Sequence, residues 1–138
     1  RWYYLLNIQF IDNLQPMFGD HNGDPISLKE LHKRESVDGD PITMIAVTRK
    51  QFNEINLAKY KEYVMNELGL SRFYHGVWSD GNNIEFDIAY AIPTDNNKVI
   101  QEHLNKHDAI NDGLNQVMGL TIYKNGEFKN IKNEMRKV

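Results

Sequence analysis

The chain opens on a strict alternation. Trp2, Tyr4, Leu6, Ile8 and Phe10 fall on one side of an extended backbone, and Tyr3, Leu5, Asn7, Gln9 and Ile11 on the other. A period of two in aromatic and branched residues predicts a strand, apolar enough on both sides to be covered on both faces. The stretch that follows, NLQPMFGDHNGDP, is dense in Gly, Pro, Asn and Asp and reads as a loop. Ser27 with Glu30 three residues later has the form of a capping box. It predicts a short helix whose inward stripe is Leu28, Leu31 and His32.

After a second loop, SVDGDP, the run ITMIAVT (42–48) is rich in β-formers. Thr48 and Gln51 resemble another capping box, opening a helix to about Leu68 in which Leu57, Tyr60, Val64 and Leu68 share a face. Gly69 is its natural stop. SRFYHGVW (71–78) and IEFDIAYAIP (84–93) flank Asp80-Gly81 and predict a β-hairpin. Thr94-Asp95 then opens a helix running to 112 or 118. LTIYK and EFKNI follow, joined by Asn125-Gly126, a strong signal for a two-residue hairpin turn.

From Ile42 to Lys124 the expected order is strand, helix, strand, strand, helix, strand. That is the split βαβ arrangement of ferredoxin-like folds, an antiparallel sheet with two helices on one face. The expectation is thus a single α+β domain over 1–138. Residues 1–41 supply an added strand, a loop and a short helix; 42–124 form the ferredoxin-like core; 125–138 add a hairpin strand and a tail. The fold by itself says little about function, because this architecture hosts many unrelated activities.

Composition narrows the classes. At 138 residues and 41% hydrophobic, with seven tyrosines, six phenylalanines and two tryptophans, the chain can close a core without cross-links. The absence of cysteine excludes disulfides, thiolate zinc sites, iron–sulfur clusters and cysteine nucleophiles. A net charge of −3 gives no electrostatic footprint for nucleic acid, so none is expected as a partner. Residues 124–138 alone carry +3 (Lys124, Lys129, Lys132, Arg136 and Lys137 against Glu127 and Glu134), which leaves −6 for residues 1–123. That reads as a solvated basic tail on an acidic body. No run approaches the ~18 apolar residues of a membrane helix, so no membrane association is expected. Asn7, Gln9 and Asp12 interrupt the opening stretch as a signal-peptide core, and a cytoplasmic location is the expectation. The chain starts at Arg1 rather than methionine, so a segment upstream would not be seen.

Two groups of residues carry candidate chemistry. EHLNKHD (102–108) places His103 and His107 one helical turn apart, with a carboxylate outside each. At about 100° per residue from Val99, His103 falls at about 40° and His107 at about 80°. Ile110, Leu114, Ile100 and Leu104 span about 20° to about 140°, whereas Asp108 lies at about 180° and Glu102 at about 300°. The histidines are therefore expected inside the apolar arc and the acids outside it, which excludes a Glu-x-x-His carboxylate site. A two-residue turn at Asp80-Gly81 would set His75 opposite Phe86, on the side the helices cover. His75, His103 and His107 would then converge as a neutral imidazole triad suited to zinc or a similar divalent cation. The plainer reading is that they are boundary residues whose nitrogens bond to backbone or side chains.

The second group lies on the other face of the same hairpin. In that register Tyr74 faces Asp87, Gly76 faces Glu85 and Arg72 faces Ala89. Left uncovered, Tyr74, Trp78, Glu85 and Asp87 beside Ala89 and Ala91 would make an aromatic–acidic surface for a small ligand or a second copy. Ordinary cross-strand pairing is the plainer account. Asp20, Asn22 and Asp24 have the alternate spacing of a calcium loop, with Asp38 and Asp40 nearby in sequence. Pro25 and Leu31 stand where that loop needs glycine and glutamate. No phosphate loop, dinucleotide fingerprint, Gly-x-Ser-x-Gly elbow or His-Glu-x-x-His motif is present. The sequence thus reads as a soluble, non-catalytic module that needs no cofactor and binds a small ligand or self-associates. The alternative is a metal-dependent or general acid–base enzyme built on the histidines.

Overall fold

The structure is a computed structural model that describes residues 17–20, 22, 24–48, 66, 69, 72–79, 84–106 and 117–134. The expected strand Trp2–Asp12, the continuation of the last helix through His107, and most of the helix expected to end near Leu68 lie outside these residues. Within that helix range Asn66 is helical, and Gly69 takes φ +66°, the left-handed conformation of a helix stop.

Seven strands and two helices are described. They are β1 (Met17–Gly19), β2 (Pro25–Ile26), α1 (Leu28–Glu35), β3 (Ile42–Thr48), β4 (Tyr74–Ser79), β5 (Ile84–Ile92), α2 (Asn97–Lys106), β6 (Val117–Ile122) and β7 (Phe128–Lys132). The architecture is α+β, and the antiparallel sheet runs in the order β2-β1-β4-β5-β3-β6-β7. The chain divides into two compact units, residues 1–26 with 48–90 and residues 27–47 with 91–138.

In the first unit the stretch expected as a loop contains β1 and β2. Phe18 pairs with Ile26, and the Asp20 N–H donates to the Asp24 carbonyl at 2.9 Å. One Asp20 carboxylate oxygen accepts from the N–H groups of Asn22 and Asp24 at 2.9 and 3.0 Å, so this acid folds the turn. Turn chemistry hides these strands: among the side chains described here, the buried apolar ones are Phe18 and Ile26 (1% and 8% exposed). β1 then pairs with β4, Phe18 opposite Gly76 and Gly19 opposite His75.

The β4–β5 register differs from the expected one by two residues. Ser79 pairs with Ile84, which leaves residues 80–83 as a four-residue connection instead of a two-residue turn. Tyr74 therefore pairs with Ala89 rather than Asp87, His75 with Ile88 rather than Phe86, and Trp78 with Glu85. An even shift preserves parity, so every residue keeps its expected face.

The second unit is built around β3 and β6, which pair from Ile42–Ile122 to Ile45–Gly119. Alternation sends Ile42, Met44, Leu120 and Ile122 to one face and Thr43, Ile45, Gly119 and Thr121 to the other, and all eight are buried. A Cβ on Gly119 would lie 3.1 Å from the Met44 carbonyl oxygen, so glycine eases the close approach of β3 there. α1 also packs against β6. Its start is capped as expected, with Ser27 Oγ accepting from the Glu30 N–H at 3.1 Å. Leu31 and His32 are buried in its inward stripe.

α2 begins two residues later than expected. Thr94 Oγ1 accepts from the Asn96 N–H, and Asn96 is the cap, its Oδ1 accepting from the Val99 N–H at 3.2 Å. The buried residues are Ile100, Gln101 and Leu104, at about 100°, 200° and 140° in the frame counted from Val99. The arc facing the sheet is thus rotated away from Val99, which is exposed, and leaves His103 half-buried at its margin.

The β6–β7 hairpin also departs from expectation. Tyr123 donates to the Glu127 carbonyl at 2.9 Å, leaving a three-residue loop, Lys124–Gly126. Gly126 alone has positive φ (+88°), whereas a two-residue turn of the expected type needs it at both positions. Asn125 Oδ1 accepts from the Glu127 N–H at 3.0 Å.

Candidate functional site

The aromatic–acidic group lies on β4 and β5. Trp78 is paired with Glu85 and Asp87 with Gly76, and Tyr74 belongs to the same parity two residues further along. The structure therefore brings the four positions onto one face. That face is not uniformly open: Tyr74 is 4% exposed and Ala89 is 2% exposed, so the Tyr74 end is covered. Tyr90, of the opposite parity on β5, is buried on the other face, and burial pushes its phenol up to about 12, so the hydroxyl stays protonated across ordinary pH.

The histidines belong to different elements. His75 is fully buried on β4 between Gly19 and Ile88, its ring edge-on to Phe73 at 5.3 Å and 72°. His103 stands at the margin of α2. Burial holds its imidazole below the ordinary value, Lys106 adds to the lowering, and Glu102 opposes it. His107 lies outside the described residues. Among the described residues there is no group of three or more histidines, aspartates or glutamates arranged to hold a metal ion. His32 is buried on α1, its Nε2 2.9 Å from the Asp40 carbonyl oxygen, and Ser36 Oγ donates to the same oxygen at 2.6 Å. That pair fixes the loop holding Asp38 (φ +55°) and Gly39 (φ +82°).

Three buried polar side chains went unread in the sequence. Thr43 Oγ1 donates to the Thr94 carbonyl at 2.8 Å and lies 2.8 Å from Thr121 Oγ1. Having one proton, Thr43 must accept from Thr121. Gln101, 2% exposed, donates from Nε2 to the Lys132 carbonyl at 2.9 Å and accepts at Oε1 from the Glu134 N–H at 2.7 Å. Once a β3–β6 register is known, the threonine pair follows from directly opposed hydroxyls. Nothing in the local pattern marks Gln101.

Comparison with protein families, with curated proteins and with solved structures finds no match to this chain. No helix among the described residues is long and apolar enough to cross a membrane.

Proposed function

We propose that the chain is a non-catalytic binding module that takes a small ligand or a second copy of itself on the sheet face bearing Tyr74, Trp78, Glu85 and Asp87. One observation supports this most directly: the β4–β5 register sets an indole position against a carboxylate and leaves Asp87 opposite a glycine. A flat aromatic beside acids, with no side chain across from one of them, suits a planar or cationic group. The scaffold proposed for it is ferredoxin-like. In support, the strand order β4-β5-β3-β6 reads second, third, first, fourth within the segment 42–122, as that fold requires.

The test combines sedimentation velocity with a thermal-shift screen of small cationic and aromatic compounds, on the wild-type chain and on Trp78→Ala. Association or ligand-induced stabilisation that Trp78→Ala removes supports the reading. A protein that stays monomeric and unshifted in every condition sinks it. The alternative, an enzyme built on a histidine cluster, has one observation in its favour: burial favours the neutral form of His103, the form that binds metal. Zinc titration by calorimetry, repeated on His103→Ala, decides that case.

A further inference from the structure

Strand β7 ends the sheet order. The Tyr123 N–H donates to the Glu127 carbonyl, so alternation turns the peptide groups of Lys129 and Ile131 toward β6 and those of Phe128 and Asn130 outward. The Lys132 carbonyl also points away from β6, and there Gln101 donates to it while accepting from Glu134 two residues on. A carbonyl and an N–H two residues apart, met by one amide, is the pattern a parallel strand makes. The Gln101 carboxamide thus stands in for a neighbouring strand at that end. The open edge is Phe128 to Asn130, whose outward groups have no hydrogen bond among the described residues.

A second copy laid antiparallel on this edge satisfies all four outward groups in one register, Phe128 against Asn130 and Asn130 against Phe128. The two-fold axis then passes through Lys129. The two Lys129 side chains stand in the non-hydrogen-bonded position, where Cα atoms approach to about 4.5 Å and side chains are closest. Lys129 is exposed, and like charges directly opposite destabilise a strand pair. We propose that β7 is a strand-addition edge gated by Lys129: it rejects a second copy of this chain and admits an extended segment carrying an aspartate or glutamate opposite Lys129. Tyr74, Trp78, Glu85 and Asp87 take no part in it.

The chain itself, with one charge reversed, is the probe. Lys129→Glu mixed with the wild-type chain is expected to form a one-to-one complex about tenfold tighter than the self-association of either protein, read by sedimentation equilibrium. Adding Asn130→Pro to the Lys129→Glu chain removes an outward N–H and is expected to abolish the complex, with circular dichroism reporting that both chains remain folded. Lys106→Glu, an exposed reversal on α2, controls for general charge attraction and is expected to leave association unchanged. A mixture no tighter than its components overturns the proposal. So does a complex that Lys106→Glu reproduces, or one that survives Asn130→Pro in a folded chain.

Discussion

Gln101 makes two backbone contacts across the end of β7 from a position that a hydropathy pattern assigns to the surface. Replacing it with leucine keeps the volume and strands the Lys132 carbonyl and the Glu134 N–H. Gln101→Leu is expected to lower stability by about 1 kcal/mol in urea titration, the net worth of a typical hydrogen bond, since both contacts are only part-buried. A change under a few tenths of that would show the contacts to be incidental. His103 carries a different consequence. Its folded-state pKa lies below the ordinary 6.5, so below that pH the unfolded chain binds more protons and stability falls as pH falls. Above pH 6.5 the contribution is fully present. The melting temperature should decline from pH 7 to pH 5 more steeply for the wild-type chain than for His103→Gln. Parallel profiles would remove His103 from the acid response.

At the scale of elements, short-range chemistry was legible and phase was not. Ser27 capped α1 as its spacing with Glu30 implied, because a cap needs only three neighbouring residues. The α2 arc was misplaced because Val99, apolar but exposed, drew the count toward itself, while the buried Gln101 contributed nothing apolar. Hairpin loops failed in the same way. Asp80-Gly81 and Asn125-Gly126 both resemble two-residue turns, yet the strands close around four and three residues, since register is decided by burial along whole strands. Gly126 tests this. With φ +88° and a would-be Cβ 2.9 Å from Lys29 Cγ, Gly126→Ala is expected to cost about 1–2 kcal/mol. Gly126→Asn, which tolerates that backbone better, should cost less. Equal losses in denaturant titrations would point to the Lys29 contact instead.

For the whole molecule, the α+β class and strands β3 to β7 were readable because each is a run of five or more residues rich in β-formers between clear turn signals. The pieces in turn-rich sequence, β1 and β2, were not, since three and two residues offer no period to count. Charge is the other molecular property with a consequence. With −6 over residues 1–123 and +3 beyond, the chain is expected not to bind single-stranded RNA at ~0.15 M salt in fluorescence anisotropy. Binding that weakens steeply with salt would contradict this. A last consequence concerns Thr43 and Thr121, which look equivalent and are not. Their protons run one way, from Thr121 on β6 to Thr43 on β3 to the carbonyl of Thr94 at the entrance to α2. Upstream loss is mild: without the Thr121 hydroxyl, Thr43 still serves Thr94. Downstream loss is not, because removing the Thr43 hydroxyl silences both neighbours at once. The order of two hydroxyls and a carbonyl thus ranks two chemically identical residues: losing the Thr43 hydroxyl costs more than losing the Thr121 hydroxyl.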